Sequence, residues 1–175
     1  MKINLLKNVV YAVVVISILN LTSCSNPTSK NADAENSKES NAPQFEDTLV
    51  NNVYQHYIHL KTALVNNDDQ EAKNGADMLT QALTAAGNAG IAAQADEIKA
   101  AADIDAKRSL FNALSENLTN YLKQGKLASG VIYRQYCPMA NNDQGGYWLS
   151  SEKEIRNPYY GDQMLKCGTV EEEIK

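Results

Sequence analysis

Four sulfur-bearing residues near the C-terminal end form the most specific chemical pattern in the sequence. Cys137 and Met139 stand in a Cys-x-Met order, and Met164 and Cys167 follow in the mirror-image order Met-x-x-Cys. Thiolate and thioether sulfurs are soft, polarisable ligands that suit Cu(I), whereas zinc sites combine thiolates with imidazole or carboxylate. If these four sulfurs meet in the folded chain, they are expected to form a Cu(I) site.

The same two cysteines also permit a disulfide, and the residues alone leave this alternative open. Two cysteines in an oxidising compartment most often pair, and closing this loop would stabilise the tail by about 3–4 kcal/mol in the chain-entropy model. A disulfide between Cys137 and Cys167 would withdraw both thiolates from a metal ion. Unpaired buried thiols are a further option, and a redox-active dithiol is disfavoured because the chain has no Cys-x-x-Cys motif.

Two histidines, His56 and His59, are candidate additional metal ligands. Their i, i+3 spacing on a helix would present both imidazoles on neighbouring positions. Tyr57 and Leu60 occupy the apolar stripe of the same segment, so the histidines are expected nearer the bundle surface. No acid or base partner for catalysis is evident, and we expect no enzymatic activity.

Composition narrows the range of functions. The chain has 175 residues, with 16 Lys and Arg against 21 Asp and Glu, which gives a formal net charge of -5. A chain without an excess of positive charge would not attract the negatively charged phosphate backbone of nucleic acids, which argues against nucleic-acid binding. The two histidines and three cysteines are too few for a multi-histidine catalytic centre or a disulfide-dense scaffold.

The first residues have the pattern of a bacterial lipoprotein signal. Lys2 and Lys7 precede an apolar run over residues 9–21, and the sequence Leu-Thr-Ser-Cys ending at Cys24 looks like a lipobox. The apolar run has about 13 residues, which is short of the roughly 20 that a membrane-spanning helix needs. We therefore expect residues 1–23 to be a cleaved signal peptide and Cys24 to carry the lipid.

Two expectations about the envelope follow from this signal. Ser25 stands where an inner-membrane retention signal would place Asp, which favours the periplasmic face of the outer membrane. Residues 24–44 are rich in Ser, Asn, Lys and Glu and contain no bulky apolar side chain. Such a segment cannot offset its own ordering entropy, so a flexible tether is predicted between the membrane and the folded body.

Residues 45–125 are predicted to form a three- to four-helix antiparallel bundle. The segment contains no proline, and its apolar residues recur at helical spacing. Asp68 with Glu71 forms a capping box, Asp103 or Asp105 caps the last helix, and Gly125 is predicted to end it in a left-handed conformation. The predicted buried stripes are Leu49, Val53, Tyr57, Leu60 and Leu64; Ala72, Ala76, Leu79, Leu83 and Ala86; and Phe111, Leu114, Leu118 and Tyr121.

The remaining residues, 126–175, change in character. They hold more than half of the glycines and tyrosines and the single tryptophan of the chain. We predict a cap of short strands, turns and one helical turn packed on the bundle, with a strand at 131–133 and the helical turn at 162–167. Its aromatic residues either hold the cap against the helices or form a recognition surface.

Several dense motifs in this tail resemble the DUF3347 family, and the likeness extends over residues 45–174. The runs that carry it are Cys137-Pro138-Met139-Ala140, Gly145-Gly146-Tyr147-Trp148-Leu149-Ser150, Glu154-Ile155-Arg156-Asn157-Pro158-Tyr159-Tyr160-Gly161-Asp162, Met164-Leu165-Lys166-Cys167-Gly168 and, in the first helix, Tyr57-x-x-Leu60-Lys61-x-Ala63-Leu64. Such domains occur alone in lipoproteins and at the ends of periplasmic adaptor subunits of heavy-metal efflux pumps. The resemblance therefore implies a metal-efflux context.

The sequence thus favours a lipid-anchored periplasmic protein that binds or passes a soft heavy-metal ion. Cys137, Met139, Met164 and Cys167 are the expected ligands of Cu(I), and the expected partners are the membrane and a heavy-metal efflux adaptor or other envelope protein. The alternative is an envelope interaction module that uses no metal and whose cap is stapled by a Cys137–Cys167 disulfide.

Overall fold

Four long helices make up the body of the protein in residues 42–175, which the computed structural model describes. They are α1 (Thr48–Val65), α2 (Asp69–Ala85), α3 (Ala89–Ala100) and α4 (Ile104–Leu122). Each helix packs on the next along the chain, and the short connections are those of an antiparallel bundle. The predicted mainly helical class is confirmed. The predicted signal peptide, Cys24 and nearly all of the tether lie outside the described residues.

Short polar side chains start the helices. Asp47, Asp68, Asn88 and Asp103 each accept a hydrogen bond from a backbone N–H in the first turn of α1, α2, α3 and α4. These bonds satisfy donors that a helix N-terminus leaves unpaired. Asp68 thus caps α2 as predicted. The Glu71 side chain does not complete the capping box, because it forms a hydrogen bond with His59 on α1.

The helices α1 and α2 approach each other closely at Gly75. A Cβ atom at this position would lie 2.9 Å from the Cα of Leu60 on α1, so only glycine fits without a shift of backbone. The stripe prediction holds for Val53, Tyr57, Leu60 and Leu64, which are buried, but it is wrong for Leu49, which is 46% exposed. Leu49 lies in the first turn of α1, beside the end of α2, where few side chains remain to cover it.

The end of the bundle differs from the prediction. Helix α4 ends at Leu122, and Gly125 is not among the residues with positive φ. A Cβ atom at Gly125 would lie 3.0 Å from the ring of Phe45. The glycine therefore makes room for an aromatic side chain rather than providing a left-handed helix stop.

The cap contains the predicted short strands. β1 (Gln44–Phe45) pairs with β2 (Leu127–Ser129), and β3 (Ile132–Cys137) lies between β4 (Gly146–Ser150) and β5 (Thr169–Ile174) in an antiparallel sheet. The strand predicted at 131–133 is thus longer, and the predicted helical turn at 162–167 is a 3-10 turn at Gly161–Gln163. A four-residue helical segment, α5 (Ala140–Asp143), connects β3 and β4, and three of its residues have positive φ.

Buried aromatic residues hold the cap against the bundle. The ring of Tyr159 lies 5.9 Å from that of Phe111 on α4 and 6.0 Å from that of Trp148 on β4. The backbone N–H of Leu149 donates to the hydroxyl of Tyr57 at 3.0 Å. Trp148 and Tyr159 therefore belong to the core. Within residues 42–175, no helix has the length and apolar composition needed to cross a membrane.

Candidate thiol and metal site

The fold brings the two cysteine thiols into direct contact. Cys137 ends β3 and Cys167 comes just before β5, and the register that pairs Tyr136 with Thr169 draws these strand ends together. The two Sγ atoms lie 2.8 Å apart although 30 positions separate them in the sequence. Both thiols are free; Cys137 is buried and Cys167 is half-buried.

The distance between the two sulfurs is intermediate between a disulfide and a shared metal ion. A disulfide bond is about 2.05 Å long. Two thiolates at about 2.3 Å from one metal ion would be roughly 3.8 Å apart in tetrahedral geometry and about 4.6 Å apart in linear geometry. The pair must therefore close by about 0.8 Å or open by roughly 1–2 Å. Cys167 is the thiol better placed to move, because Cys137 is enclosed by the core.

The two methionines lie in the loops that carry the thiols. Met139 is 44% exposed, and its backbone carbonyl accepts a hydrogen bond from the Tyr160 hydroxyl at 2.5 Å. Met164 is half-buried, and its carbonyl accepts from the backbone N–H of Cys167 at 3.0 Å. The four predicted ligands thus come from two loops that are joined by the Tyr160 hydrogen bond.

A buried asparagine, Asn157, fixes the loop that ends at Cys167. The Asn157 side chain donates to the carbonyl of Cys167 at 2.9 Å and accepts from the N–H of Tyr159 at 2.8 Å. Its backbone N–H donates to the carbonyl of Leu165 at 2.8 Å. An asparagine before a proline is typical of a turn closed by its own side chain, which is the signal that was available.

Arg108 on α4 ties this loop to the helical body and was not identified from the sequence. Its guanidinium donates to the carbonyls of Pro158 at 2.9 Å and Leu64 at 2.8 Å, and to Oδ1 of Asn67 at 2.5 Å. The residue is only 7% exposed. It lies three positions before Phe111, on the predicted buried stripe of α4, so a charged residue on that stripe was the sequence signal.

The thiol of Cys167 favours its protonated form. The hydrogen bond with Cys137 raises the pKa of Cys167 to about 11, with burial as a further cause. A thiol with this pKa supplies little thiolate near neutral pH. A metal ion would have to displace the thiol protons, so its binding is expected to strengthen as pH rises.

The two histidines contact α2 rather than the thiol pair. His59 Nε2 lies 2.5 Å from Oε1 of Glu71, and hydrogen bonds from Asn74 and then His59 lower the pKa of Glu71. His56 lines a groove beside Met78, and partial burial followed by the nearby His59 lowers its pKa. In the described part of the chain, no three His, Cys, Asp or Glu side chains cluster as a metal site. A site of two cysteines and two methionines contains only two residues of those four types, so this observation does not bear on it.

Comparison with known proteins supports the family resemblance over the helical part of the chain, which includes the motif of the first helix but none of the tail motifs. Residues 53–130 match the sequence model of a family described as a protein of unknown function, DUF3347. The match begins within α1 and ends after β2, before Cys137. No curated protein and no solved structure matches the chain. The match supports the assignment of residues 53–130 to the DUF3347 family.

Proposed function

We propose that this chain is a lipid-anchored protein of the cell envelope that binds or passes a soft heavy-metal ion in metal tolerance or efflux, with Cu(I) the favoured ion. The observation that supports the proposal is the 2.8 Å contact between the thiols of Cys137 and Cys167. Two thiolates that converge from separate loops provide soft donors for a monovalent ion, and Met139 and Met164 would complete the ligand set.

The exposure of the donors suits transfer of the ion better than storage. Cys137 is buried, while Cys167 is half-buried and Met139 is 44% exposed. An ion would therefore arrive on the side of Met139 and Cys167 and reach Cys137 last. Thioethers are weak neutral donors, so ligand exchange at their positions would stay fast, as a carrier requires.

The second candidate function is an interaction module without metal, stapled by a disulfide. The observation in its favour is that the sulfurs must move by only about 0.8 Å to reach the bonded distance, less than a metal ion would require. In this case the cap is a rigid surface for docking to another envelope protein.

A competitive Cu(I) titration of the reduced full chain in nonionic detergent tests the metal proposal. Replacing Cys167 by serine is expected to weaken binding by more than about 100-fold, because even changes outside the ligand set cost roughly 10–100-fold. Met139→Leu is expected to weaken binding less. Its matched control is Met78→Leu, because both methionines are 44% exposed and Met78 lies on α2.

The results separate the two candidate functions. Equal Cu(I) affinity in the unchanged protein, Cys167→Ser and Met139→Leu would refute the metal assignment. Intact-mass analysis of protein isolated from the envelope measures the fraction of Cys137 linked to Cys167. Complete linkage, combined with no Cu(I) binding after reduction, would favour the disulfide-stapled module.

A further inference from the structure

A cavity that does not include the thiol pair lies between α1 and the connection that follows β4. Its volume is about 190 Å³. At about 30 Å³ per water molecule, this is room for roughly six waters. Its polar lining consists of Lys61 and Thr62 from α1 and of Ser150, Ser151, Glu152 and Arg156 from the cap.

Lys61 has a buried stem, and its ammonium group opens on this cavity. The residue is only 6% exposed, yet within residues 42–175 its side chain forms no hydrogen bond or ion pair. The other deeply buried lysine, Lys107, is 1% exposed and donates to Oδ1 of Asp69 at 2.7 Å and to the carbonyl of Ala101 at 3.0 Å. Lys61 Nζ is not among the fully buried atoms that lack a hydrogen-bond partner, so the ammonium group reaches the space of the cavity, where it could bind an anion directly.

Arg156 provides a second positive charge at the same cavity. It is half-buried, and in the described part of the chain its guanidinium forms no hydrogen bond or ion pair either. The Ser150 hydroxyl accepts from the N–H of Glu152 at 3.1 Å and keeps its own proton for donation. The exposed Glu152 carboxylate offsets one of the two positive charges, which leaves one in excess.

We propose that this cavity is a binding site for a small oxyanion, a carboxylate or a phosphate group, held by Lys61 and Arg156. The planar guanidinium fork matches two oxygens of such a group, the lysine acts as a point charge, and the Ser150 hydroxyl donates a further hydrogen bond. A group of four or five heavy atoms fits the room of about six waters. This site goes beyond the proposed metal function and shares none of its ligands.

Calorimetric titration of the full chain in nonionic detergent tests the site, with inorganic phosphate and acetate as separate probes and NaCl holding the ionic strength constant. Saturable binding of either probe is expected, and the stronger one identifies the source of the oxyanion. Lys61→Met and Arg156→Gln are each expected to weaken binding by about tenfold or more, since each removes a charge-assisted hydrogen bond. The matched control is Lys153→Met, whose side chain is 72% exposed on the same connection.

Three results would overturn the proposal: no saturable binding of either probe, unchanged affinity in both variants, or equal loss in Lys153→Met. Circular dichroism checks that the variants are folded. Lys61→Met is expected to fold, because it removes a buried charge and keeps an apolar stem. If it does not fold, Arg156→Gln decides the question, since the half-buried arginine contributes less to the core.

Discussion

Replacing Arg108 by methionine is expected to loosen the cap from the helical body. The change keeps the length of the side chain but leaves the buried carbonyls of Pro158 and Leu64, and Oδ1 of Asn67, without their donor. Each hydrogen bond to a charged group contributes roughly 1.5–3 kcal/mol, and removing the buried guanidinium recovers part of its desolvation cost. The expected loss in free energy of unfolding is about 3 kcal/mol. The ion pair with Asp105 adds little because that carboxylate is 87% exposed.

Urea denaturation measured with two probes checks this prediction. Trp148, the single tryptophan, is buried in the cap and reports it by fluorescence, while far-UV circular dichroism reports the helices. The fluorescence transition of Arg108→Met should come at lower urea than the transition of the helices, because the loop after Asn157 has lost its anchor. Arg108→Lys keeps the charge but not the planar fork and should lose about half as much.

A control variant and a clear limit decide the outcome. Lys126→Met changes a side chain that is 77% exposed and should shift stability by less than about 0.5 kcal/mol. A loss below about 1 kcal/mol in Arg108→Met would show that the three acceptors find other donors, and the assigned role of Arg108 would then be wrong.

Three further predictions concern stability. Gly75→Ala should destabilise the protein by about 2 kcal/mol or more, because the added Cβ would lie 2.9 Å from the Cα of Leu60. Gly90→Ala should stabilise α3 by roughly 0.5–1 kcal/mol, because a Cβ there would meet no atom within 4 Å. Thermal unfolding of the two variants compares these effects. In phosphate-free buffer Lys61→Met should be more stable than the unchanged chain near pH 7, by at most about 3 kcal/mol, because burial lowers the pKa of Lys61 from 10.5 to about 8 beside Glu152 and Arg156. Between these two pKa values the unfolded chain binds more protons than the folded one, so the unchanged protein gains stability as the pH rises from about 8 to 10.5. The difference in stability between Lys61→Met and the unchanged protein should therefore shrink over this range and vanish above it. A difference that stays constant with pH would contradict the assignment. Oxidation of Cys137 and Cys167 should raise the free energy of unfolding by about 3–4 kcal/mol, measured as the urea midpoint with and without reductant, and Cys167→Ser should show no such difference.

Helix positions were predictable because burial on one face imposes a period that the sequence displays. Val53, Tyr57, Leu60 and Leu64 recur at that period and are all buried. The period does not show where a neighbouring helix ends, which is why Leu49 was wrongly included. The cap was harder to predict, because its strands are short and pair through a shifted register between β3 and β5.

The candidate site was predictable in residue type but not in arrangement. The pattern of Cys137 and Cys167 indicated paired sulfur chemistry, whereas their contact depends on the pairing of β3 with β5. Arg108 and Asn157 position the loop mainly through backbone carbonyls, and the sequence does not show which carbonyls they bind. Lys61 comes directly after Leu60, a residue of the apolar stripe of α1, and in the sequence it resembles an ordinary surface lysine. In the structure the cap covers it.

The connection between β3 and β4 limits how this hairpin can be transplanted into another scaffold. Asn141, Asn142 and Asp143 have φ of 53°, 56° and 63°, a left-handed run that asparagine and aspartate tolerate better than other side chains. Gly145 follows with φ of 85°, and a Cβ there would lie 2.2 Å from the Tyr136 hydroxyl. A designer who grafts the cysteine-bearing strand must keep Gly145 together with Tyr136, since any other residue at position 145 would clash with the tyrosine ring.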